Sequence, residues 1–243
     1  MAFENYADKV RKHFVFSPAE LKGFLLAIIA FGFFWSFTRW GTAGFDVQEG
    51  LKNWLIAIII AGIVVFAHHS AQRLFGIAKG YKIEHKTWLP GLLIGIVALL
   101  LSNGRLIILA GTIMTAQLLG IHRIGQPRTG PNLRDIGFIA LSGPLASIAL
   151  AFVLSVLFPT AFFADLMSFA VWFGLINLLP LPPLDGINVL LGARTTRRGS
   201  FSYFFILGAF FGFLLVYHAT GIGVFWSAIL AVLIGLVTWL VLD

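Results

Sequence analysis

This sequence predicts an all-α polytopic membrane protein with about six transmembrane helices, plus a short hairpin or re-entrant element and a strand-like insert after the second helix. Three observations predict it. Of 243 residues, 59% are hydrophobic and only 11% are charged, too few charges to cover a soluble domain of this length. The charges that do occur cut the chain into apolar stretches near the roughly 20 residues that cross a bilayer. The basic residues also gather in alternate connecting segments, as topology requires. The chain divides into an N-terminal segment, residues 1–22, and one membrane-embedded domain, residues 23–243.

The N-terminal segment carries Glu4, Asp8, Lys9, Arg11, Lys12, Glu20 and Lys22 before any apolar run. It lacks the short apolar region and small-residue cleavage site of a signal peptide, so the first span is expected to be retained. Span 1 is predicted from about Gly23 to Phe37 and span 2 from about Asn53 to Gln72. Between span 2 and the next apolar stretch, Gly80 to Trp88 alternates residue types like a short strand. The stretch Thr87 to His122 is interrupted by Asn103-Gly104-Arg105, and each half is short; a tight hairpin, a re-entrant pair and one tilted span all fit. Gly125 to Arg134 holds Pro127, Gly130 and Pro131 and is predicted to be a loop. Span 4 covers about Ile136 to Leu157, and span 5 covers Leu166 to Ala193 with Asp185 as its single charge. Phe201 to Leu242 is long enough for two spans that turn near His218 to Gly221.

Counting basic residues orients this layout. With the N-terminus in the cytoplasm and Thr87 to His122 returning to its starting side, fourteen Lys and Arg fall on the cytoplasmic face; Arg39, Lys52 and Arg105 fall opposite. Both termini are therefore expected in the cytoplasm. The same scatter argues against nucleic acid as the reason for a net charge of +7, because no extended basic patch forms. With no cysteine, disulfides and thiolate chemistry are excluded. The expected surroundings are lipid.

Ionisable residues inside a membrane are costly and point to function. Two places qualify. The first is Ala67-His68-His69-Ser70-Ala71-Gln72-Arg73 near the end of span 2. The second is Asn177 to Gly186 in span 5, where Pro180, Pro182 and Pro183 within four positions must unwind the helix around Asp185. Unwound backbone at membrane depth survives only inside protein or against a wet cavity. Helical rise places His68 and Asp185 at compatible depths, so a meeting between them is allowed. The plain reading makes His68 and His69 core or interfacial histidines, Asp185 a carboxylate paired with His68, and Gln72 a hydrogen-bonding core residue. His85, His122 and His218 sit near span ends and are expected to reach solvent. Ser70 and Ser142 have no base at a recognisable spacing.

Asn177-Leu178-Leu179-Pro180 followed by Leu184-Asp185-Gly186 resembles the Asn-x-x-Pro…Leu-Asp-Gly motif of site-2 proteases, intramembrane zinc metalloproteases of bacteria and archaea. Ser142-Gly143-Pro144 resembles that family's small-Gly-Pro segment, and Gly80 follows Gln72 by eight residues much as a Gly follows the family's zinc helix. The resemblance runs from about Phe16 onward. It implies that Asp185 is the third zinc ligand, that His68 is the first, and that Asn177, Pro180, Pro183 and Gly186 line a substrate groove. It also implies a place in the cytoplasmic membrane.

The departure falls on the family's His-Glu-x-x-His, which puts two ligands on one helix face and a general base between them. Here His69 stands at the position of the Glu and Gln72 at that of the second His. A neutral amide is a poor zinc ligand, and His68 with Asp185 leaves two protein ligands where catalytic zinc has three. Three functions follow from these residues. A non-proteolytic relative would bind or regulate a membrane partner, such as a transmembrane helix. An active protease would hold zinc through His68, Asp185 and a third group (His69, Gln72 or a distant His). A small transporter would use Asp185 at its proline-broken helix.

Overall fold

The computed structural model describes residues 2–41, 44–119, 130–195, 206–209, 212–213 and 224–242. Helix α1 (Ala2–His13) leads into α2 (Pro18–Ser36). Ser17 and Glu20 cap α2 reciprocally: the Ser17 hydroxyl accepts from the Glu20 amide at 3.2 Å, and the Ser17 amide donates to Glu20 Oε2 at 2.8 Å. Pro18 occupies the first turn, where no amide donor is needed. Helix α3 (Val47–Lys79) starts at Asp46, whose carboxylate accepts from the amides of Gln48 and Glu49. It stops at Gly80, where φ of 81° favours a residue without a Cβ.

A two-stranded sheet follows. β1 (Tyr81–Thr87) pairs antiparallel with β2 (Thr112–Leu118), from Tyr81 opposite Leu118 to Thr87 opposite Thr112. Helix α4 (Leu89–Leu101) and the chain that returns from it therefore leave and rejoin the sheet at one end, the Trp88 amide donating to the Gly111 carbonyl at 2.8 Å. Thirteen residues of helix reach about 20 Å, short of the roughly 30 Å of a hydrocarbon core. Thr87 to His122 accordingly holds a short helix whose return is extended and ends in a strand. His122 lies outside the described residues.

Helix α5 (Leu133–Leu157) runs through Pro144 and begins two residues inside the predicted loop. Span 5 is not one helix. It divides into α6 (Ala161–Asn177) and α7 (Asp185–Ala193), separated by the prolines. The final described helix is α8 (Val224–Leu242), and the predicted turn at His218 to Gly221 lies outside the described residues. Among the described residues, three helices are long and apolar enough to cross a membrane: α2, α3 and α5. The sequence led to about six.

Helix α3 packs against α2, β1 and α5, and α5 in turn packs against α6 and α7. The core is aromatic where these helices meet, with Phe31, Phe34, Phe169 and Phe173 all buried. At the far end of α2 from Ser17, Arg39 donates twice to Asp165 of α6, at 2.6 and 2.8 Å, and Trp35 donates to the same carboxylate at 3.0 Å. That carboxylate holds the Arg39 guanidinium above its ordinary pKa.

Candidate functional site

The site is assembled by α3, α5, α7 and β1. His68, eleven residues before the end of α3, lies about 16 Å along the helix from Lys79 by helical rise. Its Nε2 is 3.0 Å from Asp185 Oδ2. Asp185 is the first residue of α7, where the helix dipole favours an anion. His68 reaches it because α5 presents Gly143: a Cβ there would lie 2.6 Å from His68 Nε2. Gly186 has a parallel function, since a Cβ there would come within 2.1 Å of the Leu178 carbonyl. It lets α7 start against the end of α6.

Gln72 is the hub. One turn after His68 on the same face of α3, its Nε2 donates to Asp185 Oδ2 at 2.7 Å and to the Ala140 carbonyl of α5 at 3.2 Å. Its Oε1 is 2.9 Å from His85 Nε2. The amide orientation follows from these partners, because a carboxylate and a carbonyl only accept while the imidazole can donate. Gln72 thus ties α3 to α5, α7 and β1 at once.

His85 was expected near solvent and is instead 3% exposed. The reason is strand alternation: Tyr81, Ile83 and His85 share the face of β1 that turns inward. Burial holds the His85 imidazole below the ordinary histidine range, an effect the Glu20 carboxylate opposes. Glu20 accepts from the His85 amide at 2.9 Å and forms a buried ion pair with Arg73. Both charges counted as cytoplasmic in the sequence, and both are buried. The signals that could have found them are the Ser-x-x-Glu capping pattern at Ser17 and the period of two along Tyr81, Ile83 and His85.

His69 points away from Asp185. It stacks on Phe24, ring centroids 4.5 Å apart, and its Nε2 is 3.3 Å from the Thr112 hydroxyl. Neighbouring helical positions are rotated by about 100°, which sends His68 and His69 to different neighbours. Asn177 donates to the Phe173 carbonyl of its own helix at 2.8 Å and to the Leu109 carbonyl of the segment returning from α4 at 3.4 Å. Pro180 is exposed and Pro183 half-buried, while Gly186 is buried.

The donor set does not fit a catalytic zinc. His68 and Asp185 offer ligand atoms, but Gln72 turns an amide N–H toward the carboxylate, and an amide N–H has no lone pair for a metal. His68 Nε2 is itself engaged by Asp185 Oδ2 at 3.0 Å. Among the described residues, no three of His, Cys, Asp and Glu are grouped to hold a metal ion. Several buried polar atoms around the site lack a hydrogen-bond partner: Nδ1 of His68 and His69, the Ser70 hydroxyl and Arg73 Nε.

The chain is 28% identical over 185 residues to a protein of Methanocaldococcus jannaschii named "Putative zinc metalloprotease", covering 73% of this chain and 86% of that relative. No family model matches the chain, and no solved structure matches it. The relative's name agrees with a metalloprotease-like family, and the long apolar helices agree with a membrane protein.

Proposed function

We propose that this chain is a site-2-protease-like membrane protein whose intramembrane site does not hydrolyse peptides, and that it binds or regulates a membrane partner, such as a transmembrane helix. The observation that carries the reading is Gln72. At the position that resembles the family's second histidine, its amide is fully engaged by Asp185, Ala140 and His85. His69, at the position of the general base, faces Phe24 and Thr112 instead of Asp185. Losing a general base typically costs about 10²- to 10⁴-fold in rate. The relative named a zinc metalloprotease supports the ancestry of the site, and zinc is the metal that ancestry implies.

The location proposed is the cytoplasmic membrane, with both termini in the cytoplasm. The test is metal content. The native chain, purified with added zinc, should carry no stoichiometric metal. The double variant His69→Glu with Gln72→His should bind one zinc per chain. One zinc on the native chain, or zinc-dependent cleavage of a helical membrane substrate, would overturn the reading.

A further inference from the structure

The chain between α1 and α2 is bound directly to the site helix, and the mode of binding assigns it a task. Arg73, the residue after Gln72, sends one guanidinium nitrogen to the Val15 carbonyl and another to Glu20. The same guanidinium lies over the Phe16 ring, 4.1 Å from its centroid. Phe16 packs edge-on against Phe14 and Phe24, with centroids 5.5 Å away in both cases. Phe24 closes the series by stacking on His69. Glu20 meanwhile holds the His85 backbone, and His85 holds Gln72. Upstream, the Tyr6 hydroxyl donates to the Leu74 carbonyl at 3.0 Å, docking α1 beside the same turn of α3.

These contacts converge within a few residues of His68, His69 and Gln72, where several buried polar atoms lack a hydrogen-bond partner. The Arg73–Glu20 pair is costly to place there, because burying two charges costs several kcal/mol before their attraction offsets it. We infer that Phe14 to Glu20 forms a strap that closes the intramembrane site, with the Arg73–Glu20 pair and the Phe16 ring as its catch, so that displacing the strap admits solutes to His69. The inference concerns regulation of the site proposed above and rests on that site being a binding site.

The chain contains no cysteine, so a single introduced thiol reports access without background. His69→Cys would place the reporter in the site, and Ser36→Cys would place a control at a fully buried position remote from the strap. Both are reacted with N-ethylmaleimide in liposomes, alone and combined with Phe16→Ala, Tyr6→Phe or Glu20→Gln. Phe16→Ala and Glu20→Gln should each raise the labelling rate at position 69 by about tenfold, the population shift that 1.4 kcal/mol produces. Tyr6→Phe should raise it less, and the rate at position 36 should not move.

Unchanged labelling at position 69 in all three variants overturns the strap. So does a parallel rise at position 36, which would make these residues supports of the whole fold. Metal content is a separate readout: a strap can fail while the non-proteolytic reading stands, and zinc on the native chain would sink that reading without altering the labelling result.

Discussion

Replacing Gln72 with Met isolates the polar contribution of the hub, because length and volume are nearly kept while all three hydrogen bonds are lost. The bond to Asp185, at 2.7 Å, is charge-assisted and contributes about 1.5–3 kcal/mol. The contact to the Ala140 carbonyl of α5, at 3.2 Å, falls in the class of polar contacts between membrane helices that average about 0.6 kcal/mol, and the contact to His85 of β1, at 2.9 Å, contributes about 1 kcal/mol. The expected loss is therefore about 3–4.5 kcal/mol, most of it from the carboxylate left with one donor fewer. Equilibrium unfolding in mixed micelles, followed by loss of helicity, measures it. A double-mutant cycle with Asp185→Asn should return a coupling near the charge-assisted share. A loss below about 1 kcal/mol would refute the reasoning, since the amide would then be a bystander and not the link between α3, α5, α7 and β1.

Gly143→Ala should push the His68 imidazole off Asp185, because the new methyl would lie 2.6 Å from Nε2; the expected cost is about 1–3 kcal/mol by thermal unfolding, and a neutral outcome would mean that α5 can recede. Arg39→Ala should cost only about 0.5–1 kcal/mol, less at high salt, as is usual for exposed ion pairs; the Arg39 side chain is 44% exposed, and a loss unaffected by salt would contradict the electrostatic account. His85 adds a pH dependence. Burial depresses its pKa in the folded state, so the unfolded chain takes up the proton first. Its share of stability is complete above about pH 6.5 and is lost as pH falls below that value toward the folded pKa. Unfolding measured at about pH 7.5 and 5.5 should show this slope, and His85→Asn should flatten it; an equal slope in both chains assigns the effect elsewhere.

Much of this protein is set by patterns that the chain carries locally. Apolar runs marked α2, α3 and α5 as membrane-length helices, since a helix satisfies its own backbone and only its side chains need suit lipid. The prolines after Asn177 marked the break between α6 and α7, because a missing amide and a ring clash act within one turn. Alternation marked β1. The meeting of His68 with Asp185 was allowed by depth alone, whereas its 3.0 Å contact needed Gly143 on a third helix to clear the space. The burial of His85, Glu20 and Arg73 belongs to tertiary structure altogether. Near span ends a charged residue reads as solvated, and only the folding of β1 and the strap over α3 brings opposite charges and a histidine into one dry cluster. What Gln72 does was equally hidden: an amide has no preferred partner until three separate segments supply an acceptor carboxylate, an acceptor carbonyl and a donor imidazole around it.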